Sequence, residues 1–190
     1  MKREVVVRRI VHMLLALAPV YYLFPVELTP FGVRRWVLLV AFIGTIIAFE
    51  IVRLARGITF LGLRPHEKNQ IASFVWAAAG IVLTLWLFPQ EIASAAIIGM
   101  ALVDPLMGEL RRSGVKDPTT VSVSALAYFA ISFSVLFAVG PFEVFGCLAL
   151  ASIGTLLAVP SEWFEIPFVD DDFLMPVIPA LGMTVLSLLL

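Results

Sequence analysis

Of the 190 residues in the chain, 61% are hydrophobic and only 14% are charged, and the mean hydropathy is +1.03. These values exclude an ordinary water-soluble domain, and a net charge of -1 favours no class of charged partner. Apolar segments recur from about residue 10 to the last residue and leave no stretch for a separate soluble domain. We therefore expect residues 1–190 to form a single integral membrane domain.

The apolar residues fall into segments of the length that a membrane-spanning helix needs, roughly 20 residues. These segments are residues 10–26, 36–53, 70–88, 91–110, 121–140, 142–160 and 173–190. They are continuously apolar and lack the alternation of a membrane β-strand, so strands are not expected. The predicted fold class is all-α, a polytopic bundle of about seven transmembrane helices. We expect Pro105, next to Asp104, to kink a helix at the site.

The charged residues are divided unequally between the two sides of such a bundle. With seven spans, all but Arg34 and Arg35 of the thirteen Lys and Arg residues lie on the side of the N-terminus. The positive-inside rule makes that side cytoplasmic and puts the C-terminus on the opposite side of the cell membrane. All but Glu27, Glu91 and Glu143 of the fourteen acids also lie on the N-terminal side. No topology rule demands this, so we expect a cytoplasmic site for a charged substrate or a metal.

Asp104 is the sharpest single candidate because it ends an apolar run, where an ionisable group is costly and needs a partner. Gly108 follows one helical turn later, and Arg111 and Arg112 come next. Mg²⁺ binds carboxylate and phosphate oxygens, and Arg binds phosphate in a fork, so this stretch could hold a metal and phosphates together. The alternative is a helix-end salt bridge between Asp104 or Glu109 and the arginines.

A second acidic group, Asp170, Asp171 and Asp172, stands directly before the last apolar segment, and Glu162 precedes it in the same loop. Adjacent acids repel one another unless a cation is near. Metal binding is one interpretation of this run, and an ordinary solvated loop is the other.

Two polar groups lie in or beside the first two segments. His12 follows Arg9 and Arg8 by three and four residues, so all of them can share one face of a helix. A lone His in this position is more often a hydrogen-bonded packing residue. Glu50 and Arg53 are also one turn apart and could form an internal ion pair.

Taken in chain order, these motifs form a pattern. They are Arg8-Arg9-Ile10-Val11-His12, Glu50-Ile51-Val52-Arg53, Arg64-Pro65-His66-Glu67, Asp104-Pro105-Leu106-Met107-Gly108, and Glu162 with Asp170-Asp171-Asp172-Phe173-Leu174-Met175-Pro176. The order resembles that of the dolichol kinase and phytol kinase family, particularly its short archaeal members, over almost the whole chain. The resemblance implies a polytopic kinase that transfers a phosphoryl group, usually from CTP, to the hydroxyl of a long isoprenoid alcohol.

The residue roles that we expect follow from this resemblance together with the chemistry of the side chains. Asp104, Asp170, Asp171 and Asp172 would bind Mg²⁺, and Glu67 or Asp171 would accept the proton of the alcohol, with Asp104 also counted as catalytic. Residues expected to contact CTP are Gly108, Arg111, Arg112, Lys116, Thr120 and Ser124. Further residues expected at the site are Arg9, His12, Glu50, Arg53, Arg64 and Glu162.

The chain departs from the family pattern in one stretch. After the Asp-Gly helix the family typically has Lys-Ser/Thr-x-Glu-Gly-Ser/Thr, and this chain has Thr119-Thr120-Val121-Ser122-Val123-Ser124. Thr120 and Ser124 fit, whereas Thr119, Ser122 and Val123 replace the lysine, the glutamate and the glycine. Lys116 or the two arginines before it would then supply the missing positive charge.

Two other functions are compatible with the same residues. A cytidylyltransferase-like enzyme would join CMP to a lipid phosphate and release pyrophosphate, whereas a kinase releases CDP. A non-catalytic lipid-binding or transport protein would turn over no nucleotide. In each case the partner lies in the bilayer, and no nucleic-acid partner is expected.

Overall fold

The computed structural model describes the backbone of residues 3–28, 32–161 and 169–190, and the side chains of these residues except 3–5, 65 and 66. Seven α-helices account for most of this part of the chain. They are α1 (Arg3–Leu14), α2 (Trp36–Arg56), α3 (Ser73–Leu87), α4 (Gln90–Arg112), α5 (Asp117–Val139), α6 (Val144–Ser161) and α7 (Asp171–Ser187). The predicted all-α fold is confirmed. Each predicted apolar segment except the first corresponds to one α-helix, with ends that agree within a few residues.

The first segment differs from a single α-helix. After α1 the chain continues as a 3₁₀ helix, Leu15–Leu23, which contains Pro19. Proline has no N–H to donate and its ring clashes with the carbonyl one turn earlier, which explains why α-helical geometry does not persist here. A second 3₁₀ helix, Pro65–Asn69, lies between α2 and α3.

A small hairpin corrects the expectation that the chain has no strands. Strands β1 (Glu27–Leu28) and β2 (Val33–Arg34) pair in antiparallel register, with Glu27 opposite Arg34. Opposite charges at facing positions favour such a pair. Strands of two residues are too short to produce a readable alternation in the sequence, so the hairpin could not be predicted from periodicity.

Among the described residues, five helical segments are long and apolar enough to cross a membrane. They are Val6–Leu23, Trp36–Arg56, Gln90–Arg112, Asp117–Val139 and Val144–Ser161. At about 1.5 Å per residue, the 15 residues of α3 extend about 22 Å, less than the roughly 30 Å hydrocarbon core. α7 has 17 residues and packs along α3 and α6. A multi-pass membrane protein is therefore supported by five long helices, with α3 and α7 as shorter helices packed among them.

Helix α4 is the centre of the bundle. It packs against α1, the first 3₁₀ helix, α3, α5 and α7. Of its most apolar 18 residues, 61% are buried. Small residues line it, namely Ala93, Ser94, Ala95, Ala96, Gly99 and Ala101. Such residues let helix backbones approach closely in a membrane, where packing drives association. At Gly99 an added Cβ would lie 2.6 Å from Cε2 of the buried Tyr128 on α5.

Substitution of Gly99 by Ala tests this close approach. Gly to Ala inside a helix normally stabilises it by up to about 1 kcal/mol. Here the methyl group would displace the Tyr128 ring, so we expect a net destabilisation of about 1–3 kcal/mol. The measurement is the thermal unfolding midpoint in detergent. The matched control is Gly44→Ala on α2, where an added Cβ meets nothing within 4 Å and the midpoint should hold or rise. Equal effects of both substitutions would contradict the packing argument.

Candidate functional site

Side chains from three helices meet at the end of the bundle where α4 terminates and α7 begins. His12 comes from α1, Asp104 from the last third of α4, and Asp172 from the first turn of α7. The Nε2 atom of His12 lies 3.3 Å from Oδ2 of Asp104 and 3.8 Å from Oδ1 of Asp172. Arg8, one turn before His12, places Nη2 3.8 Å from Oδ2 of Asp172. Residues distant in sequence thus form one charged cluster.

The acidic run is organised by the start of α7. Asp170 is the N-cap residue, and its Oδ1 accepts a hydrogen bond of 3.1 Å from the backbone N–H of Asp172. Its Oδ2 lies 3.8 Å from Nη1 of Arg64, which comes from the loop after α2. Asp171 and Asp172 occupy the first helical turn, where the helix dipole favours negative charge. The solvated-loop alternative therefore does not hold for Asp172, which is buried, and metal binding by the run stays a prediction.

The three aspartates lie just before the apolar part of α7. Their surroundings shift the pKa values of the three carboxyl groups in different directions. Burial raises the pKa of the Asp171 carboxyl to about 7, and the neighbouring Asp170 adds to this shift. Burial likewise raises the pKa of Asp172, together with the charges of Asp104 and the two preceding aspartates. Burial alone would also raise the pKa of Asp170, but hydrogen bonds from Asp171 and the Asp172 amide, with Arg64 nearby, lower it. Burial and mutual repulsion thus favour the protonated forms of Asp171 and Asp172, whereas Asp170 is stabilised as a carboxylate.

A cavity of about 270 Å³, here called the polar cavity, opens beside this cluster. Its lining residues are Arg8, Arg9, His12, Arg64, Asp104, Pro105, Gly108, Arg112 and Asp171. Guanidinium groups and carboxylates thus face the same space. This combination suits a phosphate-bearing ligand that arrives with a divalent cation.

A larger cavity of about 710 Å³, here called the apolar cavity, lies between α1, the first 3₁₀ helix, α2 and α3. Its walls are mostly aliphatic and aromatic, with contributions such as Leu15, Ile46 and Ala78. Arg8 and His12 line both cavities, and Asp172 also lines the apolar one. A long apolar ligand in this cavity would therefore bring its polar end to the charged cluster.

Glu109 joins α1 to α4 at the rim of the polar cavity. Its carboxylate is hydrogen-bonded to Nη2 of Arg9, and Nη1 of Arg112 lies 3.8 Å from the same oxygen, Oε2. The predicted helix-end salt bridge is thus present at Glu109. Asp104, the other candidate for that salt bridge, faces His12.

Glu50 and Arg53 form the predicted internal ion pair, and its partners give it a structural role. Nε and Nη2 of Arg53 donate to the two carboxylate oxygens of Glu50 at 2.6 and 2.7 Å. Arg53 also donates to the carbonyl of Gln70, and the N–H of Ala72 donates to Glu50. The Arg53 side chain is 0% exposed. The pair therefore joins the end of α2 to the segment that begins α3.

Glu67, a predicted proton acceptor, is engaged in a similar way. One carboxylate oxygen accepts the N–H of Arg64 at 2.6 Å, and the other accepts the N–H of Ser73 at 3.1 Å. Glu67 is buried and belongs to the lining of neither cavity. Both oxygens thus fix the loop between α2 and α3, which leaves Asp171 as the candidate acceptor that faces the polar cavity.

Several predicted nucleotide contacts lie elsewhere. Thr120 and Ser124 are fully buried on α5, and Arg111 and Lys116 are outside the described lining of the polar cavity. Gly108 and Arg112 do line it. Glu162 lies outside the described residues. The roles of these residues toward CTP stay predictions.

Arg8 is the residue of the site that sequence reasoning did not assign. It lines both cavities and approaches Asp172, while the sequence drew attention to Arg9 and His12. The spacing of Arg8 and His12, four residues apart, was the available signal. What the spacing could not give was the helix that this face of α1 would meet.

Comparison of the chain with protein-family models, with curated proteins and with solved structures finds no match in any of the three.

Substitution of Glu50 by Gln tests the structural role of the ion pair. The buried Arg53 would keep its charge and lose its ionic partner, so we expect a loss of stability of about 3–5 kcal/mol. The measurement is the thermal unfolding midpoint in detergent, with Glu143→Gln, which lies just before α6, as control. Because neither Glu50 nor Arg53 lines the polar or the apolar cavity, the affinity of the folded variant for cations should be unchanged. A stable variant with altered cation affinity would assign the pair to the site instead.

Proposed function

We propose that the protein is a Mg²⁺-dependent kinase that transfers a phosphoryl group from CTP to the hydroxyl of a membrane isoprenoid alcohol. The observation that carries the proposal is the junction of the two cavities at Arg8 and His12. An isoprenoid chain belongs in lipid and fits the apolar cavity, whereas a nucleotide triphosphate comes from water and fits the arginine-lined polar cavity. The junction is where hydroxyl and phosphate would meet.

The proposed reaction is an in-line displacement. The alcohol oxygen forms a bond to the γ-phosphorus of CTP, the bond from that phosphorus to the bridging oxygen breaks, and CDP leaves. The proton of the alcohol goes to a carboxylate, for which Asp171 is the candidate that lines the polar cavity. Such a reaction depends mainly on positioning and on stabilisation of charge.

The arginines of the polar cavity supply the positive charge for this step. Arg8, Arg9, Arg64 and Arg112 line the cavity, and guanidinium groups bind phosphate oxygens in a bidentate manner. Asp104 and the three aspartates at the start of α7 supply the oxygen ligands for a cation, and ligand atoms of the latter three lie within 4.8 Å of one another. Mg²⁺ bound there would neutralise charge that develops on the phosphate oxygens.

The orientation in the membrane is part of the proposal. The cluster lies at the bundle end that carries α1, the loop after α2 and the end of α4, where the Lys and Arg residues are concentrated. The positive-inside rule makes this end cytoplasmic, with the C-terminus on the other side of the cell membrane. Arg35 lies at the other end, within 5.4 Å of the Tyr22 ring centre, as expected of a charge at an aromatic interface.

One observation favours the cytidylyltransferase alternative. More arginines than carboxylates line the polar cavity, with Arg9 and Arg112 also facing Glu109. An excess of guanidinium groups suits a second phosphate on the lipid as well as the nucleotide. A lipid phosphate would then attack the α-phosphorus of CTP and pyrophosphate would leave.

The position of the label separates these two functions. Purified protein is incubated with CTP labelled at the α- or γ-phosphate, Mg²⁺, and either an isoprenoid alcohol or its monophosphate. A kinase transfers γ-label to the alcohol and releases CDP. A cytidylyltransferase transfers α-label to the monophosphate and releases pyrophosphate. Absence of turnover with CTP, ATP, GTP and UTP, for farnesol, geranylgeraniol, dolichol and their monophosphates alike, would contradict both.

Asp104→Asn tests the carboxylate of α4 in the same assay. The substitution keeps the shape and removes the charge, so we expect turnover to fall by at least about 100-fold, the scale of losing one charge-stabilising group. Asp117→Asn is the matched control, because Asp117 is exposed at the start of α5 and lines neither cavity. Unchanged turnover of folded Asp104→Asn would remove Asp104 from the site.

Ala78→Leu tests the apolar cavity. The larger side chain would occupy space that the isoprenoid chain is proposed to fill. We expect the KM for the alcohol to rise on the order of tenfold, which corresponds to losing the burial of about two methylenes at about 0.8 kcal/mol each. The KM for CTP should not change. Ala138→Leu, at an exposed position of α5, is the control. An equal rise in both KM values would argue against an alcohol site in this cavity.

A further inference from the structure

His12 has an environment that the proposed reaction does not explain. Its side chain is 7% exposed, and its Nε2 atom makes no hydrogen bond within the described part of the chain. The atom lies 3.3 Å from Oδ2 of Asp104, but without hydrogen-bond geometry. A buried polar atom without a partner costs about 1–3 kcal/mol. The imidazole is nevertheless directed at two carboxylates on two other helices.

The distances suit three ligands of one metal ion. Ligand atoms of His12, Asp104 and Asp172 all lie within 4.8 Å of one another. Ligands about 2.1 Å from a tetrahedral cation lie about 3.4 Å apart. The separations of Nε2 from the two carboxylate oxygens, 3.3 and 3.8 Å, are close to that spacing. Small side-chain adjustments would therefore complete the geometry.

The charges around His12 also favour a bound cation. Asp172 is 5% exposed and Asp104 is 25% exposed, so two carboxylates share a largely desolvated space. The described cation nearest to Asp172 is Arg8, at 3.8 Å. A divalent cation bound by a neutral imidazole and two carboxylates gives a neutral group, which removes the cost of burying the charges.

We propose that His12, Asp104 and Asp172 bind a first-row transition cation, in preference to Mg²⁺, in a three-ligand site that is open toward the polar cavity. The nitrogen ligand decides the preference, because imidazole suits transition cations whereas Mg²⁺ takes oxygen ligands. Three protein ligands leave a fourth position free, as in catalytic zinc sites. Asp104 and His12 line the polar cavity, so this position is accessible from it.

The acidic residues would then bind two different cations, a transition cation and Mg²⁺. Asp172 belongs both to the three-ligand site and to the group that it forms with Asp170 and Asp171. Asp170 and Asp171 are then left to the Mg²⁺ that accompanies a nucleotide. The three-ligand site uses the same cluster as the proposed kinase but does not depend on that reaction, because it requires no nucleotide.

The test measures binding of Zn²⁺, without nucleotide, to the purified protein by calorimetry in the presence of excess Mg²⁺. We expect one tightly bound Zn²⁺ per chain that excess Mg²⁺ does not displace. Loss even of groups that only support metal ligands costs about 10–100-fold in affinity, so His12→Asn and Asp172→Asn should each cost at least about 100-fold. Asp117→Asn, exposed and distant from the cluster in sequence, should bind like the wild type. Each variant is checked for folding by thermal unfolding.

Wild-type Zn²⁺ affinity in folded His12→Asn would overturn the proposal. If Asp170→Asn and Asp171→Asn then lose affinity, the cation belongs to the acidic run instead. X-ray absorption at the zinc edge of the wild type is independent of whether a variant folds, and it should show one imidazole among oxygen ligands. An all-oxygen shell would also overturn the site, whereas absence of kinase activity would leave it standing.

Discussion

The arrangement of this end of the molecule depends on one constraint, the cost of keeping carboxylates close together where water is scarce. Asp104 comes from α4 and Asp172 from α7, and their side chains are partly buried and buried respectively. Like charges at such distances repel strongly in a medium of low dielectric constant. The opposing groups come mostly from one element, α1, through Arg8 and His12. Helix α1 is therefore needed to complete the cluster that α4 and α7 begin.

The rest of the bundle holds these groups in register. Small residues along α4 and the close approach of Gly99 to Tyr128 fix α4 against α5. A similar contact exists at Gly80 on α3, where an added Cβ would lie 2.8 Å from the carbonyl oxygen of Phe173 on α7. That contact is next to the aspartate cap of α7. Close helix packing at Gly99 and Gly80 thus positions α4 and α7, and with them Asp104 and Asp172.

Helices α2 to α7 could be predicted from the sequence because each is built on an apolar run that charged residues, glycine or proline separate from the next run. Hydropathy did not predict two local features, the 3₁₀ geometry around Pro19 and the pairing of strands β1 and β2. Within the site, Asp104, Arg112 and Asp171 could be found because charge next to an apolar run is informative. Partners could not be found, since periodicity does not say which helix a face meets. Glu67 is an example, because its hydrogen bonds to two backbone N–H groups are invisible in the sequence.

The contrast between the two buried ionic groups indicates which one is suited to chemistry. Glu50 and Arg53 share two hydrogen bonds and also bond the neighbouring backbone, with only Nη1 of Arg53 lacking a partner in the described part of the chain, and the pair lines neither described cavity. The His12 cluster differs in that two carboxylates, Asp104 and Asp172, face a nitrogen without a hydrogen-bond partner in the described residues, next to two cavities of opposite polarity. A group that is already satisfied gains little from a ligand, whereas an unsatisfied one gains the full cost of its burial. The bundle end near α1 therefore combines closely spaced carboxylates with space for a charged ligand, whereas the ion pair at the end of α2 is next to neither described cavity.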